Sequence, residues 1–570
     1  MKRIILTVFI ISAAEIPGQT QAYLDINNVK ALIHNRNDMF WDIGGTNMAR
    51  YEVPKNSGKH CNFLGSLWLG GFDMNSILHT SAMTYRQKGV DFWPGPLDTL
   101  NGTTDSLASA AFDLIWKVNK WQIDSFIVAF NNGSVTASTY TIPQAIMSWP
   151  AHGNTAAGYA ARLAPFVDVN NDGLYNPKAH GDYPLIRGDQ MIYYICNDNT
   201  SLHTETGGLA FGIEMHVSAY AYGCGSLLSA YPELNNTTFY HYRVINRTNN
   251  RYNNVWATVF SDVDIGWHWD DMIGCDTSLN IGYAFNGNYW DQSYKDSPPV
   301  LSYQILRGPP APANDGKDNN KNGFVDEFGE DFRFSSFMYF RNNLGTAVPA
   351  NSNPHNAIDY YSYMKAYWLD GRPLRADSTG FLHVSSTVQP TSYAFSGDPQ
   401  VLTGWSEYTR NNSPSDRRML IGNGPFDLGA YEEFEVEYSI LTTFDDTAGT
   451  NGHKNIARVR AENAVIKNFY GMAVKPACTF TTSTTGIGEG GSLISLKLVP
   501  NPASDKVEVV AENMADGTTV ELINSLGLTV GRQQLSSGKT SFDLSGLPPG
   551  VYIVKVSSGA VTHFARLVRN

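Results

Sequence analysis

Apolar and polar residues alternate strictly along one stretch near residue 440. The apolar positions are Phe434, Val436, Tyr438 and Ile440, and the positions between them are Glu433, Glu435, Glu437 and Ser439. A period of two is typical of an antiparallel strand that lays one face on a core and turns the other to water. Residues 237–246 and 254–266 are similarly rich in β-branched and aromatic side chains, which predicts further strands there.

Helical periodicity is sparse by comparison. The best example is residues 454–470, where Ile456, Val459, Ile466 and Phe469 recur at near-helical spacing. We therefore expect a mainly β protein, built from stacked antiparallel β-sandwich domains with one or two helices.

The last part of the chain shows its own pattern of short apolar runs, among them Val507 and Val509, Val520 and Leu522, and Val551 and Ile553. Gly, Pro and Asn divide these runs, as in Pro548-Pro549-Gly550. Short strands separated by turn residues predict a small C-terminal Ig-like β-sandwich over residues 496–570.

Composition separates this tail from the rest. Residues 479–492 read TFTTSTTGIGEGGS and offer little to bury, which is typical of a linker. We predict a β-rich body over 23–478, a linker over 479–495 and the tail over 496–570. Whether the body divides again, near residue 200, is left open.

The N-terminus is predicted to be a signal peptide, residues 1–22. Lys2 and Arg3 supply positive charge, and the apolar residues 4–14 are too short to span a bilayer as a helix. Thr20 and Ala22 place small residues before a cleavage point, so we expect the mature chain to begin near Tyr23.

The tail resembles the type A C-terminal sorting domain of type IX secretion cargo. Three motifs carry the resemblance, in order: VPNPASDKVEV at 499–509, LSGLPPGVYIVKV at 544–556 and ARLVRN at 565–570. The resemblance implies export to the outer surface of a Gram-negative bacterium or beyond. It also implies two partners, the type IX secretion machinery and a surface sortase that removes the tail, with attachment of the body to lipopolysaccharide or its release.

The body resembles an uncharacterised family of large extracellular proteins that carry the same tail. The motifs are KHCNFLGSLWLGGFD (59–73), TYRQKGVDFWPGPLD (84–98), NNTTFYHYRVINR (235–247), DIGWHWDDMIGCD (264–276) and DRRMLIGNGPF (416–426). This resemblance implies an extracellular location and names no activity.

Charge narrows the possible partners. The chain has 41 Lys and Arg against 53 Asp and Glu, for a formal net charge of −12, and contains no basic run. Nucleic-acid binding needs clustered basic side chains, so we expect no nucleic-acid partner. The five cysteines are an odd and widely spaced set, which leaves at least one thiol unpaired and does not reveal the pairing.

Two loops place oxygen-bearing groups at alternate positions around a glycine, as in the calcium loops of extracellular β proteins. The predicted ligands are Asp168, Asn170, Asp172, the carbonyl of Leu174 and Asn176 in one loop, and Asp318, Asn320, Asn322, the carbonyl of Phe324 and Asp326 in the other. The bidentate Glu of an EF-hand is missing from both, although Glu327 or Glu330 can replace it in the second. The alternative is a pair of plain Asx turns. We expect structural calcium that rigidifies the loops.

Residues 261–276 gather Asp262, Asp264, Asp270, Asp271 and Asp276 around Trp267, His268 and Trp269. Paired carboxylates beside aromatic rings suit a glycosidase or a metal site, and the alternative is an acidic loop whose Asp residues cap turns. A zinc site at His203 with Glu205, or at Glu214 with His216, is a weaker hypothesis because no zinc signature accompanies these pairs.

Since no catalytic motif is present, catalysis is uncertain and the leading expectation is an exported, non-enzymatic protein. It would be stabilised by calcium and have a binding or structural role, with a glycan or a surface protein as ligand. The alternative is a secreted polysaccharide-degrading hydrolase that uses the Asp/Trp cluster at 262–276.

Overall fold

The structure is a computed structural model that describes residues 20–86, 88–342, 349–381, 387–445, 454–472, 475–476, 496–511, 516–524, 529–558 and 561–569. Most of the predicted signal peptide and the whole predicted linker lie outside these residues. The chain divides into two compact units, Met1–Ala477 and Cys478–Asn570.

The body is built from nineteen described strands. They are β1 (Gln21–Leu24), β2 (Lys30–His34), β3 (Tyr51–Glu52), β4 (His60–Asp73), β5 (Leu78–Ser81), β6 (Trp93–Pro94), β7 (Trp116–Asn119), β8 (Phe166–Val167), β9 (Tyr183–Pro184), β10 (Gln190–Asn197), β11 (Ile213–Ala221), β12 (Thr237–Asn246), β13 (Tyr252–Val263), β14 (Asp271–Asp276), β15 (Ile281–Asn286), β16 (Val300–Arg307), β17 (Ser336–Arg341), β18 (Arg417–Leu428) and β19 (Glu433–Thr443). The predicted cleavage point after Ala22 falls within β1.

These strands form two large antiparallel sheets. The eight-stranded sheet has the order β1-β2-β3-β4-β13-β18-β17, with β5 also paired to β4. The nine-stranded sheet has the order β14-β15-β16-β19-β12-β11-β10-β6, with β7 also paired to β10. Strands β8 and β9 form a separate pair. On either side of residue 200, β10 and β11 are neighbours in one sheet.

The two large sheets pack face to face over one core. Residues of both sheets belong to a single buried apolar cluster. Tyr51 on β3 is hydrogen-bonded to Thr238 on β12, with 2.8 Å between the two hydroxyl oxygens. Phe40 lies between the sheets, and its ring centroid is 5.7 Å from that of Tyr240. The expected mainly β, antiparallel sandwich architecture is confirmed.

The alternation near residue 440 is confirmed as strand β19, but its polar face is not solvated throughout. Phe434, Val436, Tyr438 and Ile440 all enter the core. On the other face Glu437 is buried, and its carboxylate accepts hydrogen bonds from Tyr220 (2.5 Å) and from Tyr470 (2.8 Å). Because Tyr470 belongs to a helix that covers this face, period-two alternation alone did not reveal the burial.

The helices of the body are α1 (Ser106–Ala111), α2 (Lys120–Asn131), α3 (Gln144–Met147), α4 (Pro177–His180), α5 (Gly225–Ala230), α6 (Ala357–Met364) and α7 (Ile456–Gly471). Helix α7 matches the prediction for 454–470, and of the described helices only it and α2 exceed eight residues. The shorter ones occupy loops and carry too few periodic positions to show in the sequence. No described helix has the length and apolar composition to cross a membrane.

The four cysteines that the structure describes are all buried. Cys61, Cys196 and Cys275 are free thiols inside the core, whereas Cys224 is disulfide-bonded. Burial raises the pKa of Cys61 to about 12, so this thiol stays protonated and unreactive at neutral pH.

The tail unit is a small β domain with its own core. Its strands are β20 (Leu496–Val499), β21 (Lys506–Ala511), β22 (Thr519–Ile523), β23 (Thr529–Gln534), β24 (Lys539–Asp543), β25 (Gly550–Ser558) and β26 (Val561–Arg569). They form a three-stranded sheet, β20-β21-β24, and a four-stranded sheet, β23-β22-β25-β26. Val507 from the first sheet and Leu522 and Val554 from the second share one core, as expected for a small sandwich.

Candidate functional site

Three carboxylates meet where two neighbouring strands pass the same end of the eight-stranded sheet. Asp262 is the penultimate residue of β13, and the antiparallel register places it directly opposite Arg418 on β18. Asp264 follows the end of β13, and Asp416 precedes the start of β18. One strand leaves the sheet where the other enters it, so Asp262, Asp264 and Asp416 lie together; we call them the carboxylate cluster.

Arg418 and Tyr85 hold part of the carboxylate cluster. Nη2 of Arg418 donates to Oδ2 of Asp262 at 3.1 Å, and Nη1 is paired with Oδ1 of Asp416. The Tyr85 hydroxyl accepts from Nη2 of Arg418 at 2.7 Å and donates to Oδ2 of Asp262. Asn342 donates to Oδ2 of Asp416 at 3.1 Å. These bonds fix the positions of Asp262 and Asp416.

Other oxygens of the cluster have no such partner. Oδ1 of Asp262 is fully buried without a hydrogen bond. Asp264 is only 8% exposed, and its carboxylate accepts no hydrogen bond from the residues that the structure describes. One carboxylate oxygen from each of the three residues lies within 4.8 Å of the others. With Arg418 included, the ionised group carries a charge of −2, which a buried site does not tolerate without compensation.

The electrostatics reflect this excess of negative charge. Burial raises the pKa of Asp262 to about 7, although Arg418 opposes the shift and Asp416 reinforces it. Burial also raises the pKa of Asp264, and the carboxylates of Asp262 and Asp416 add to the effect. Both side chains therefore favour a proton or a bound cation over a bare charge.

The cluster forms part of the wall of a cavity of about 700 Å³, which we call the end cavity. Trp41, Phe63 and Tyr85 form an aromatic wall, with ring centroids 5.7 to 6.0 Å apart. Polar lining is supplied by Asn47, His60, His268, Ser293, Asn342 and Asn353. An aromatic wall beside a few convergent polar groups is the usual composition of a small-molecule site.

A glycine turn shapes the rim of the end cavity. Gly266 adopts a φ of +68°, and a Cβ added there would lie 2.2 Å from the Asp291 carboxylate. That carboxylate accepts the backbone N–H of Trp267 at 2.9 Å and of Ser293 at 2.7 Å. Gly266 thus allows the chain to leave β13 and fold tightly over Asp291.

The predicted acidic cluster at 261–276 is divided by the fold. Asp262 and Asp264 line the end cavity, whereas Asp270, Asp271 and Asp276 are not among its lining residues. Asp271 is buried and accepts the backbone N–H of Ile265 at 3.0 Å, and Asp276 is paired with Arg460. Trp267 and Trp269 are 43% and 39% exposed.

Sequence reasoning did not assign Asp416, Arg418 or Tyr85 to a site. Arg418 is 156 residues from Asp262 in the chain, and Tyr85 is 177 residues from it. The sequence signal for these residues is their presence in the two body motifs TYRQKGVDFWPGPLD and DRRMLIGNGPF, and neither motif is adjacent to the acidic stretch in the chain.

In the first predicted calcium loop, residues 168–176, the backbone turns around the side chain of Asp168. Its carboxylate accepts the backbone N–H of Asp172 at 3.2 Å and of Gly173 at 2.7 Å. Asn176 lies at the end of the loop, where its side chain accepts from Ala179 and caps α4.

The second predicted loop repeats the same winding around Asp318. Its carboxylate accepts the backbone N–H of Asn322 at 3.0 Å and of Gly323 at 2.8 Å, the equivalents of the two bonds in the first loop. The residue before the two backbone donors of each loop also has the same backbone conformation, since Asn171 and Lys321 have φ values of 59° and 58°. The shared spacing therefore produces one shared backbone conformation.

Side chains in the second loop converge on an acidic residue. The amides of Asn320 and Asn322 both donate to Oε1 of Glu327, at 2.6 and 2.5 Å. Oε2 of Glu327 and Oε2 of Glu330 are buried without a hydrogen-bond partner. Asp326 instead accepts the backbone N–H of Gly316 at 3.1 Å. Asn320, Asn322 and Glu327 thus lie together.

The two zinc hypotheses need a free imidazole nitrogen on His203 or His216, but both nitrogens of each ring are already hydrogen-bonded. The ring nitrogens of His203 lie 2.9 and 2.6 Å from the backbone carbonyls of Thr80 and Asp198. His216 bonds the Tyr193 hydroxyl through Nδ1 at 2.6 Å and Glu214 through Nε2 at 2.7 Å. Neither histidine has a nitrogen left for a metal.

Comparison with known proteins bears mainly on the tail. A family model described as the secretion system C-terminal sorting domain matches residues 497–570. No curated protein matches the chain. The resemblance of the body to a family of large extracellular proteins stays a prediction.

Two solved structures show only remote likeness. One is a polysaccharide lyase, 7% identical, covering 72% of this chain and 37% of the lyase, with a TM-score of 0.20. The other is the BSP domain of a biofilm-associated protein, 10% identical, covering 96% of this chain and 80% of that one, with a TM-score of 0.13. The chain spans little more than a third of the length of the lyase, and TM-scores this low carry no argument.

The match to the tail and the small two-sheet domain at the same residues agree with the three sorting motifs. Residues 497–570 are a C-terminal sorting domain, and the chain is a cargo protein of the type IX secretion system that is exported from the cell.

Proposed function

We propose that this exported protein binds a surface glycan in the end cavity and acts as a binding protein. The observation that carries the proposal is the end cavity itself, in which the aromatic wall of Trp41, Phe63 and Tyr85 stands beside unused carboxylate oxygens. Sugar rings present apolar C–H faces that pack on aromatic rings. Their hydroxyls can donate hydrogen bonds to the carboxyl oxygens of Asp262 and Asp264.

The size of the end cavity suits such a ligand. About 700 Å³ falls within the range of pockets that enclose a small organic molecule, here one to a few sugar units. Asn47, Asn342 and Asn353 add amide groups that can donate to and accept from hydroxyls.

Calcium is proposed as a structural ion in the loops at 168–176 and 318–326. The support is the matched winding around Asp168 and Asp318 and the orphaned oxygens of Glu327 and Glu330. Weak binding, with a dissociation constant of about 10⁻⁴ to 10⁻³ M, is sufficient outside the cell. The ion would hold exposed loops in one conformation.

We also propose that the exported chain is processed at the cell surface. A surface sortase would remove the sorting domain, and the body would be attached to lipopolysaccharide or released. The support is the sorting domain alone.

A glycan panel tests the binding role. The purified full-length protein would be screened against soluble polysaccharides and oligosaccharides, and the strongest ligand measured by calorimetry. We expect Asp264→Asn and Phe63→Ala to weaken binding by tenfold or more, about 1.4 kcal/mol. Asp427→Asn, an exposed carboxylate on the same strand as Arg418, is the matched control and should bind normally.

Two outcomes would overturn the proposal. Binding that survives both Asp264→Asn and Phe63→Ala would place the ligand outside the end cavity. Release of new reducing ends from the glycan, lost in Asp262→Asn, would replace binding by hydrolysis.

A further inference from the structure

The carboxylate cluster has more acceptors than its neighbours use. Asp262 and Asp416 each bond Arg418, yet Oδ1 of Asp262 is buried without a partner. Asp264 is more than nine-tenths buried, lines the end cavity and accepts no hydrogen bond from a described residue. A buried carboxylate without a donor is costly, so an unpaired one that faces a cavity points to a ligand.

The net charge of the carboxylate cluster also indicates a bound cation. Three carboxylates and one guanidinium leave a net charge of −2, and one divalent cation balances it. Lys and His side chains do not supply this charge at the cluster, because the ion pairs that the structure describes for Asp262 and Asp416 involve Arg418 alone.

We propose that Asp262, Asp264 and Asp416 hold one calcium ion at the wall of the end cavity. The three donors are all oxygens, which hard cations prefer, and the cluster has no nitrogen or sulfur donor of the kind that zinc favours.

Ligand number and geometry favour calcium over magnesium. Calcium accepts irregular sets of about six to eight oxygens, whereas magnesium demands near-ideal octahedral geometry and is usually held by one or two carboxylates. The cluster offers three carboxylates, with one oxygen of each within 4.8 Å of the others, so a single ion can contact all three. The Asn342 amide donates to Oδ2 of Asp416 at 3.1 Å and fixes the orientation of this carboxylate.

The ion would differ in role from those in the two loops. Protein groups fill one side of its coordination sphere, and the end cavity leaves the other side to water or to ligand oxygens. It would sit in the end cavity whether or not a glycan is the natural ligand, so the cation site does not depend on the proposed function.

The number of calcium ions bound per protein molecule tests the inference. The full-length protein, stripped with chelator, would be titrated with calcium and the number of bound ions counted by native mass spectrometry. Asp264→Asn should bind one ion fewer than the wild type. The same loss should appear in the background Asp168→Asn/Asp318→Asn, which removes the key carboxylate of each loop. Asp427→Asn is the control and should keep the wild-type count.

Terbium luminescence locates the ion. Terbium replaces calcium and emits when a nearby indole is excited, and Trp41 lines the same cavity. In the loop-deficient background we expect sensitised emission that calcium displaces and that both Asp264→Asn and Asp416→Asn abolish. Tryptophan fluorescence spectra would show that the variants are folded.

The inference fails if the loop-deficient protein binds no calcium at millimolar concentration, or if Asp264→Asn keeps the full ion count. It fails equally if zinc binds the folded cluster and calcium does not. Normal calcium binding with no affinity for any glycan would refute the proposed function and leave the cation site standing.

Discussion

Glu214 offers a sharp test of how the nine-stranded sheet is stabilised. It is completely buried on β11, where Oε1 accepts from His216 at 2.7 Å and from Arg247 at 2.6 Å. Oε2 accepts the backbone N–H of Leu97 at 2.8 Å. Burial alone would raise the pKa of Glu214, but the hydrogen bonds and charges of His216 and Arg247 lower it from 4.5 to about 2.

The size of the effect follows from this pKa. Each unit by which a folded-state pKa falls below the unfolded value is worth about 1.4 kcal/mol, so Glu214 contributes roughly 3 kcal/mol. Because the pKa is lower in the folded state, this contribution is complete above about pH 5. It is lost as the pH falls from 4.5 towards 2.

Glu214→Gln should remove this dependence. We expect the variant to be less stable than the wild type by roughly 3 to 5 kcal/mol at pH 7, since Arg247, whose side chain is only 15% exposed, is left without its partner. The difference should shrink as the pH approaches 2. Urea unfolding followed by tryptophan fluorescence reports on the body alone, because all 12 tryptophans lie before residue 406.

Glu433→Gln is the matched control. Glu433 also pairs with an arginine, Arg243 at 2.6 Å, but its side chain is 48% exposed. A surface pair of this kind is worth at most about 1 kcal/mol. Parallel pH profiles for the wild type and Glu214→Gln, or an equal cost for both substitutions, would refute the reasoning.

Three further predictions follow from the structure. Excess chelator should lower the thermal midpoint of the body, and Asp168→Ala and Asp318→Ala should each remove part of that shift; an unchanged midpoint would rule out structural calcium in the loops. Deletion of 496–570 should retain the body inside the cell, as judged by fractionation, and normal display of the truncated chain would contradict the role of the tail. Arg417→Ala should destabilise the body by about 3 to 5 kcal/mol in urea unfolding, because the fully buried Glu407 carboxylate loses its charged partner. A loss of stability below about 1 kcal/mol would show that this ion pair is dispensable.

Structural features that depend on neighbouring residues could be predicted from the sequence. The alternation from Phe434 to Ile440 produced β19, and the helical spacing from Ile456 to Phe469 produced α7. The matched spacing of the two loops produced matched backbone conformations around Asp168 and Asp318. In each case the signal depends on periodicity or turn chemistry within a few residues.

The candidate site could be predicted only in part. The acidic stretch drew attention to Asp262 and Asp264, but also to Asp270 and Asp271, which the fold directs away from the end cavity. Whether an aspartate lines a cavity or is packed in a turn depends on what lies across the sheet from it, and spacing along one strand does not contain that information.

The sequence by itself determined the β-rich class, the sorting tail and the two glycine-centred loops, since these depend on local pattern and on motif order. The end cavity was decided by tertiary structure. Strand pairing brings Asp416 and Arg418 beside Asp262, and Tyr85 closes the cluster from a distant loop. The register and the burial that produce the excess negative charge arise only when distant segments pack together.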